Sequence, residues 1–63
     1  MNNFIIIEDA RNEKWIIDID KIICVEEYNG SNCKSIIHIP NFNIWMKETI
    51  EEVFNMFKKE KGK

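Results

Sequence analysis

Residues Lys47–Phe57, KETIEEVFNMF, form the segment that most firmly predicts a secondary-structure element. Thr49 and Glu52 make a capping box, in which the two side chains satisfy amide groups left free by the first helical turn. Four apolar residues recur at the i, i+3, i+4, i+7 spacing of one helix face: Ile50, Val53, Phe54 and Phe57. We therefore predict a helix over residues 48–60, with this stripe against a sheet, and a frayed Lys-rich tail over 61–63.

The preceding residues have the composition of a sheet. The chain has thirteen Ile, four Phe and two Trp but no Leu, and β-branched and aromatic residues favour strands. Turn-forming residues divide the first 46 positions into five predicted strands: 3–8, 14–19, 22–28, 33–39 and 42–46. Asn29-Gly30 predicts a tight hairpin between the third and fourth strands, since both residues tolerate positive φ. Pro40-Asn41 interrupts the ladder before the fifth strand.

These elements predict an α+β fold in one domain spanning residues 1–63. The five strands would form one small antiparallel sheet, a meander over residues 3–46, with the helix packed on one face. Several strands carry apolar residues on both faces, as in 4–7 and 15–17, so the face opposite the helix would expose Ile and Trp. Monomers rarely expose large apolar patches, and symmetric self-association commonly covers them. We expect a homo-oligomer; the alternative is a sheet that curls and closes partly on itself.

The charge and hydropathy of the chain argue against some classes of binding partner. The net charge is −2, with −4 over residues 1–28 (seven acids, three bases) and +2 over 29–63 (four acids, six bases). Neither value is large enough to imply a nucleic-acid or membrane partner. The sequence contains no recognisable signal peptide or membrane-spanning segment, and its abundant Ile, Asn and Lys are typical of AT-rich genomes. We expect a soluble cytoplasmic protein of a bacterial cell or of a phage that infects one.

Cys24, Cys33 and His38 are the residues that could bind a metal or form a disulfide. A two-residue or a four-residue loop around Asn29-Gly30 would leave the two thiols out of register, so we expect no disulfide. The spacing of the three residues matches no structural zinc pattern, and we expect no metal site. We interpret Cys24 as a buried small hydrophobe, Cys33 as an edge or loop residue, and His38 as a hydrogen-bonded sheet residue.

The sequence contains no recognisable arrangement of catalytic residues. Glu26 and Glu27 are adjacent on a predicted strand and point to opposite faces, so they do not form a carboxylate dyad. Asp18 and Asp20 flank a bend and are interpreted as turn formers. The sequence contains no phosphate-binding loop, dinucleotide fingerprint or metalloprotease motif. We therefore predict that the protein is not an enzyme and has no catalytic residues and no cofactor.

Seven residues are candidates for binding a partner or a ligand: Trp15, Tyr28, Trp45, Arg11, Lys14, Lys21 and Lys47. The aromatic residues could anchor a protein partner or stack the bases of single-stranded RNA or DNA. The alternative is that both Trp pack in the core or in a self-interface. The cations are the candidates for holding a small anionic ligand at a subunit junction. Nucleic acid is the less favoured partner, because a chain with one Arg does not predict a basic groove.

Apolar and charged residues follow one order along nearly the whole chain: Phe4-Ile5, Asn12-x-x-Trp15-x-Ile17-x-x-Asp20-x-Ile22-x-x-Val25-Glu26-Glu27, Ile36-x-His38-Ile39 and Ile44-x-x-Lys47-Glu48-Thr49-Ile50-Glu51-Glu52-Val53. This order resembles the small flagellar-operon proteins of the FlbD/SwrD type, together with short bacterial and phage proteins of the same strand–helix outline. The resemblance implies a non-enzymatic cytoplasmic accessory of motility, with no catalytic residues to transfer. The chain departs from the family pattern in its two Trp and over Pro40–Asn43, where the family tends to have a Gly-containing polar turn.

Three functions are consistent with these patterns. The first is a non-catalytic, self-associating binding protein, such as a phage accessory or anti-defence factor that binds a host protein or sequesters a small nucleotide signal. The second is the motility accessory that the resemblance implies. The third is RNA or single-stranded DNA binding on the sheet face. We favour the first narrowly over the second, and both over an enzyme.

Overall fold

A computed structural model describes residues 3–61 and contains five strands, a short 3₁₀ turn and one helix. The elements in chain order are β1 (Phe4–Glu8), β2 (Lys14–Asp18), the 3₁₀ turn (Ile19–Lys21), β3 (Cys24–Glu27), β4 (Ser35–Ile39), β5 (Phe42–Met46) and α1 (Ile50–Lys61). Every strand and the helix begin and end within two residues of the predicted bounds. The α+β class is therefore confirmed. The last two residues of the predicted tail, 62 and 63, lie outside the described residues.

The strands form two antiparallel sheets, so the prediction of a single five-stranded meander was wrong. β1 pairs with β2, and a separate three-stranded sheet has the order β3-β4-β5. The division falls at the 3₁₀ turn, which is capped by Asp18: its Oδ1 accepts a hydrogen bond from Asp20 N at 3.0 Å. Ile19 in this turn is buried. The turn therefore anchors the chain in the core through Ile19 and directs it into the second sheet instead of returning it alongside β2.

The core is one contiguous cluster that draws on both sheets and the helix. The β1–β2 hairpin contributes Ile5, Ile7 and Ile17, the 3₁₀ turn Ile19, the three-stranded sheet Ile37, Ile44 and Met46, and α1 Val53. The strand residues alternate along β1 and β5, as expected when one face of each sheet is buried. The hairpin and the helix thus both pack on the inner face of the three-stranded sheet, which the prediction had assigned to the helix alone.

The capping box predicted at the start of α1 is present. Thr49 N donates to Glu52 Oε1 at 2.9 Å, and Glu52 N donates to Thr49 Oγ1 at 3.2 Å. Val53 is fully buried, whereas Phe54 is 61% exposed and contacts solvent beside Lys58, whose Nζ lies 5.5 Å from the ring centroid. The prediction that Phe54 belongs to the buried stripe was wrong, because the residue lies about 100° around the helix from Val53. Met56 packs against the core in its place.

The loop from Tyr28 to Lys34 is longer than the tight hairpin predicted at Asn29-Gly30. Tyr28 N donates to Lys34 O at 2.9 Å, and Gly30 N donates to Cys33 O at 3.1 Å. Neither Asn29 nor Gly30 has a positive φ. Glycine at position 30 has a different role: a Cβ there would lie 2.5 Å from Cε2 of Tyr28, so the ring would have to move. Gly30 makes room for the ring of Tyr28. The prediction that Gly30 forms a tight turn was wrong.

The longer loop shifts the pairing of β3 with β4. Cys24 lies opposite His38. The registers expected from a two-residue loop and from a four-residue loop were therefore both wrong. Cys24 is exposed and Cys33 is half-buried, and both thiols are free. The interpretation of Cys24 as a buried hydrophobe is corrected, because its position in β3 places it on the outer face of the sheet.

Pro40-Asn41 forms a tight two-residue turn that joins β4 to β5. Ile39 pairs with Phe42, which leaves two residues in the turn. Proline holds its φ at about −65°, and Asn41 has a φ of 73°. This combination is found in a type II turn. The dipeptide predicted to interrupt the ladder therefore sets its register.

Replacing Thr49 by Ala should lower the free energy of unfolding by about 1 kcal/mol, because the helix loses its N-cap acceptor. Thr49 is exposed, so little packing is lost with it. Urea denaturation followed by circular dichroism measures the change. Thr49→Ser keeps the hydroxyl and should stay within a few tenths of a kcal/mol of the wild type. Equal losses in both variants would show that the methyl group, and not the cap, stabilises the helix.

Candidate functional site

A cleft of about 390 Å³ lies between the loop that joins β1 to β2 and the edge strand β5. Its lining residues come from the loop, from β2, from the β3–β4 loop and from β5: Asp9, Ala10, Arg11, Trp15, Cys33, Asn43 and Trp45. Ala10 N donates to Trp45 O at 2.7 Å, which fixes the loop against β5. The volume falls in the range of small-ligand sites. The cleft is therefore large enough for one side chain of a partner or one small molecule.

The buried carboxylate of Asp9 organises this cleft. Asp9 is only 4% exposed, and its Oδ1 accepts hydrogen bonds from Arg11 N and Glu13 N, both at 2.9 Å. Its Oδ2 accepts a third from Trp15 Nε1, also at 2.9 Å. The bond from Trp15 is the largest cause that holds the pKa of Asp9 below its ordinary value; burial opposes it, and the two backbone bonds and the Arg11 charge support it. Asp9 is thus an anion that positions Trp15.

The remaining loop residues are fixed by backbone bonds. Asp9 N donates to Glu13 O at 2.8 Å, and Asn12 N donates to Asp9 O at 2.9 Å. Asn12 has a φ of 67°, a conformation that Asn tolerates better than most residues. Its Oδ1 accepts a hydrogen bond from Lys47 Nζ at 2.8 Å, so Lys47 reaches back to the loop. The predicted five-residue connection over 9–13 is confirmed.

Two aromatic pairs adjoin the cleft. The rings of Tyr28 and Trp45 meet edge to face with centroids 4.9 Å apart, and those of Trp15 and Phe42 meet edge to face at 5.9 Å. Trp45 is 42% exposed, while Ile36, its cross-strand partner, is buried. Such pairs favour a defined ring orientation. The Tyr28–Trp45 pair therefore extends the cleft as an ordered aromatic surface on the outer face of the three-stranded sheet.

The structure brings together five of the seven candidate binding residues. Trp15, Trp45 and Arg11 line the cleft, Tyr28 contacts Trp45, and Lys47 is hydrogen-bonded to Asn12 of the loop that carries Arg11. The other two, Lys14 and Lys21, lie elsewhere. Lys14 faces solvent opposite Glu8 on the hairpin, and Lys21 lines a separate depression near Pro40. The alternative was that both Trp residues pack in the core. Trp15 does pack against the core, but Trp45 is exposed.

Sequence analysis missed four residues of the cleft: Asp9, Ala10, Cys33 and Asn43. A local signal existed only for Asp9. An Asp in the first position of a hairpin loop can accept hydrogen bonds from backbone N–H groups a few residues further on. The other three line the cleft because the loop folds onto β5, which no local pattern specifies.

His38, on the outer face of the three-stranded sheet, has both ring nitrogens engaged. Nε2 lies 2.9 Å from Glu26 Oε1, and Nδ1 lies 2.9 Å from Asn43 Oδ1. Cys24 pairs with His38 across the ladder, so the residue types of a Cys–His–Asn hydrolase share one face. An Asn oxygen at Nδ1 would orient the ring in such a site, but Glu26 occupies Nε2, so no ring nitrogen is left to take a proton from the Cys24 thiol. This agrees with the interpretation of His38 as a hydrogen-bonded sheet residue.

Within residues 3–61, no three His, Cys, Asp or Glu side chains converge on a position that could hold a metal ion. The helix in the same part of the chain is neither long nor apolar enough to cross a bilayer. Comparison with protein-family models, with curated proteins and with solved structures gave no match. The resemblance to flagellar-operon proteins therefore stays a prediction from the sequence pattern.

Acid should destabilise the fold through Asp9. Folding lowers the pKa of this carboxyl below its ordinary 3.8, so the stabilisation is complete above that pH and is lost as the pH falls through the folded-state pKa. We expect Asp9→Asn to cost about 1.5–3 kcal/mol at neutral pH, because the amide nitrogen cannot accept the bond from Trp15 Nε1 and the two backbone bonds lose their charged acceptor. The variant should also lose stability less steeply in acid. Urea denaturation of both proteins across the acid range measures this.

The matched control is Glu27→Gln, which removes an exposed carboxylate from β3. It should leave both the neutral stability and the acid dependence close to those of the wild type. If Asp9→Asn were as stable as the wild type at neutral pH, the carboxylate would not organise the loop.

Gly30→Ala should disturb the aromatic surface without unfolding the protein. The added methyl group must displace the Tyr28 ring, which is 2.5 Å away, and the ring packs on Trp45. In a ¹H–¹⁵N spectrum the indole resonance of Trp45 should shift while that of Trp15 stays. Tyr28→Ala should move the same resonance, and Ser31→Ala, at an exposed position of the same loop, should not. An unmoved Trp45 resonance in Gly30→Ala would refute the close approach of Gly30 to the ring.

Proposed function

We propose that this protein is a small non-catalytic binding protein, and that the cleft with the adjoining Tyr28–Trp45 pair recognises a partner protein. One observation carries the proposal: Arg11 and Trp15 of the hairpin and Trp45 of β5 line a single cleft of about 390 Å³, and Tyr28 packs on Trp45 beside it. Trp, Tyr and Arg are the residue types that contribute most binding energy at protein interfaces. Their clustering on a partly exposed surface supports recognition of a partner better than a purely structural role.

The surface is organised before any partner binds. Asp9 holds the indole of Trp15, Ala10 ties the loop to β5, and Tyr28 limits the orientation of Trp45. A partner therefore has few side chains to immobilise, which reduces the entropic cost of association. This arrangement supports a site whose shape is selective.

The charges at the rim indicate the chemistry of the partner. The guanidinium of Arg11 is mostly exposed, and its Nη2 lies 3.6 Å from Glu13 Oε1, a loose ion pair that a better acceptor can replace. The ammonium group of Lys47 is hydrogen-bonded to Asn12 of the same loop. A partner segment with one apolar or aromatic side chain for the cleft and a carboxylate beside it would satisfy both features.

A small anionic ligand is the second candidate for the same cleft. Its volume suits a small molecule, and the aromatic walls could stack a planar base while Arg11 and Lys47 meet a phosphate. This would be the sequestering function suggested for a phage accessory or anti-defence factor. Support is weaker, because both cations already have intramolecular partners, Glu13 and Asn12. RNA or single-stranded DNA has less support still, since Lys14 and Lys21 lie away from the aromatic surface.

Affinity capture with matched variants tests the proposal. Trp45→Ala and Arg11→Ala remove exposed parts of the site, while Phe54→Ala removes an exposed aromatic ring from the helix and serves as control. A partner retained by the wild type and Phe54→Ala should bind Trp45→Ala at least about 30-fold more weakly. Titration calorimetry with the purified partner measures the ratio, and native mass spectrometry of the wild type reports any retained small molecule.

The outcomes separate the candidates. A partner that binds Trp45→Ala as tightly as the wild type would contradict recognition by this surface. An adduct of nucleotide-like mass that disappears in Arg11→Ala would favour the small ligand instead. Retention on a nucleic-acid column that falls steeply with salt would favour RNA or DNA, and capture of flagellar components would favour the motility accessory.

A further inference from the structure

The outer face of the β1–β2 hairpin is an exposed apolar surface that the cleft does not include. Phe4, Ile6 and Ile16 project from this face, and Ile6 and Ile16 are 66% and 71% exposed. Alternation explains the exposure, because Ile5 and Ile17 next to them point into the core. The three side chains expose on the order of 400 Å² of apolar surface, a size at which a patch on a monomer is often functional. We propose that this face binds the same face of a second copy of the chain, forming a two-fold symmetric dimer.

The layout of the face makes it complementary to itself. Three cross-strand pairs form its rows: Phe4 with Asp18, Ile6 with Ile16, and Glu8 with Lys14. The apolar row thus lies in the centre, and charges lie at the ends. A second copy stacked face to face places isoleucines against isoleucines in the middle.

Charge complementarity selects a second copy over an arbitrary apolar partner. Two symmetry axes stack identical hairpins face to face with their strands aligned. With the axis across the strands, Lys14 of one copy meets Asp18 of the other; with the axis along the strands, it meets Glu8. Either arrangement gives two opposite-charge contacts. In the described part of the chain the ion pair between a guanidinium or ammonium group and a carboxylate joins Arg11 to Glu13, so Lys14 is available for such a contact.

The small area of the face is typical of weak, transient interfaces. Six residues on each copy would bury less than about 1,200 Å² in total, which is the low end for specific protein interfaces. The dimer should therefore dissociate in the micromolar range, with a dissociation constant on the order of 10–100 µM. Arg11 and Trp45 do not belong to the face, so dimerisation and partner binding use different residues and can fail separately.

Sedimentation equilibrium over protein concentrations from about 1 to about 500 µM tests the dimer. The wild type should pass from monomer to dimer, and Ile16→Glu should remain monomeric, with a dissociation constant raised at least about 100-fold. Ile23→Glu is the matched control, because Ile23 is equally exposed, at 69%, outside the hairpin; it should dimerise like the wild type. Circular dichroism verifies that each variant is folded. A wild type that stays monomeric throughout, or an Ile16→Glu variant that dimerises normally, would overturn the proposal.

A charge reversal tests the symmetric arrangement itself. Lys14→Glu should weaken the dimer about 10-fold or more, since it places acids against acids. A second reversal should restore it: Asp18→Lys if the axis lies across the strands, or Glu8→Lys if it lies along them. Because Asp18 also caps the 3₁₀ turn, circular dichroism must show that the double variants are folded. Failure of both folded double variants to recover would refute aligned face-to-face stacking. Trp45→Ala should dimerise like the wild type, and Ile16→Glu should still bind the partner, so this test is independent of the proposed function.

Discussion

The buried carboxylate of Asp9 is the interaction on which the arrangement of the two sheets depends. It closes the hairpin loop through two backbone N–H groups and holds the indole of Trp15 with a third bond. The closed loop places Ala10 N against Trp45 O at 2.7 Å, which satisfies a carbonyl on the exposed edge of β5 and shields that edge from pairing with another chain. A single ionised side chain therefore joins hairpin, cleft and second sheet.

The division into two sheets follows from the need to cover the inner face of β3-β4-β5. Among the described side chains of the helix, Val53 is fully buried and Met56 and Phe57 pack against the core, while Phe54 remains in solvent. The hairpin adds three buried residues to the cover, Ile5, Ile7 and Ile17. A chain of 63 residues has little surface to bury, so folding the hairpin over the sheet uses its apolar residues better than extending one flat sheet with a single helix.

Elements fixed by local chemistry could be predicted from the sequence, and their assembly could not. The capping box of Thr49 and Glu52 involves two side chains and the backbone beside them, so its pattern is sufficient. Asn29-Gly30 has the pattern of a tight turn, yet its glycine serves the ring of Tyr28, a contact with no signature in the dipeptide. The aromatic and Arg candidates were found by residue type. Asp9 and Asn43 were not, because their place in the cleft depends on the loop folding onto β5.

One hairpin supports both proposed surfaces because its register separates them. Ile5, Ile7 and Asp9 follow the inward alternation of β1, so the residue that organises the cleft continues the core-facing row. Phe4, Ile6 and Glu8 belong to the outward row. A shift of one residue in pairing would exchange the rows, burying Glu8 in the core and exposing Ile5 and Ile7. The bonds of Asp9 to Glu13 and Trp15 are made in one register only. The same carboxylate that shapes the cleft therefore also determines which side chains the hairpin presents to a second copy.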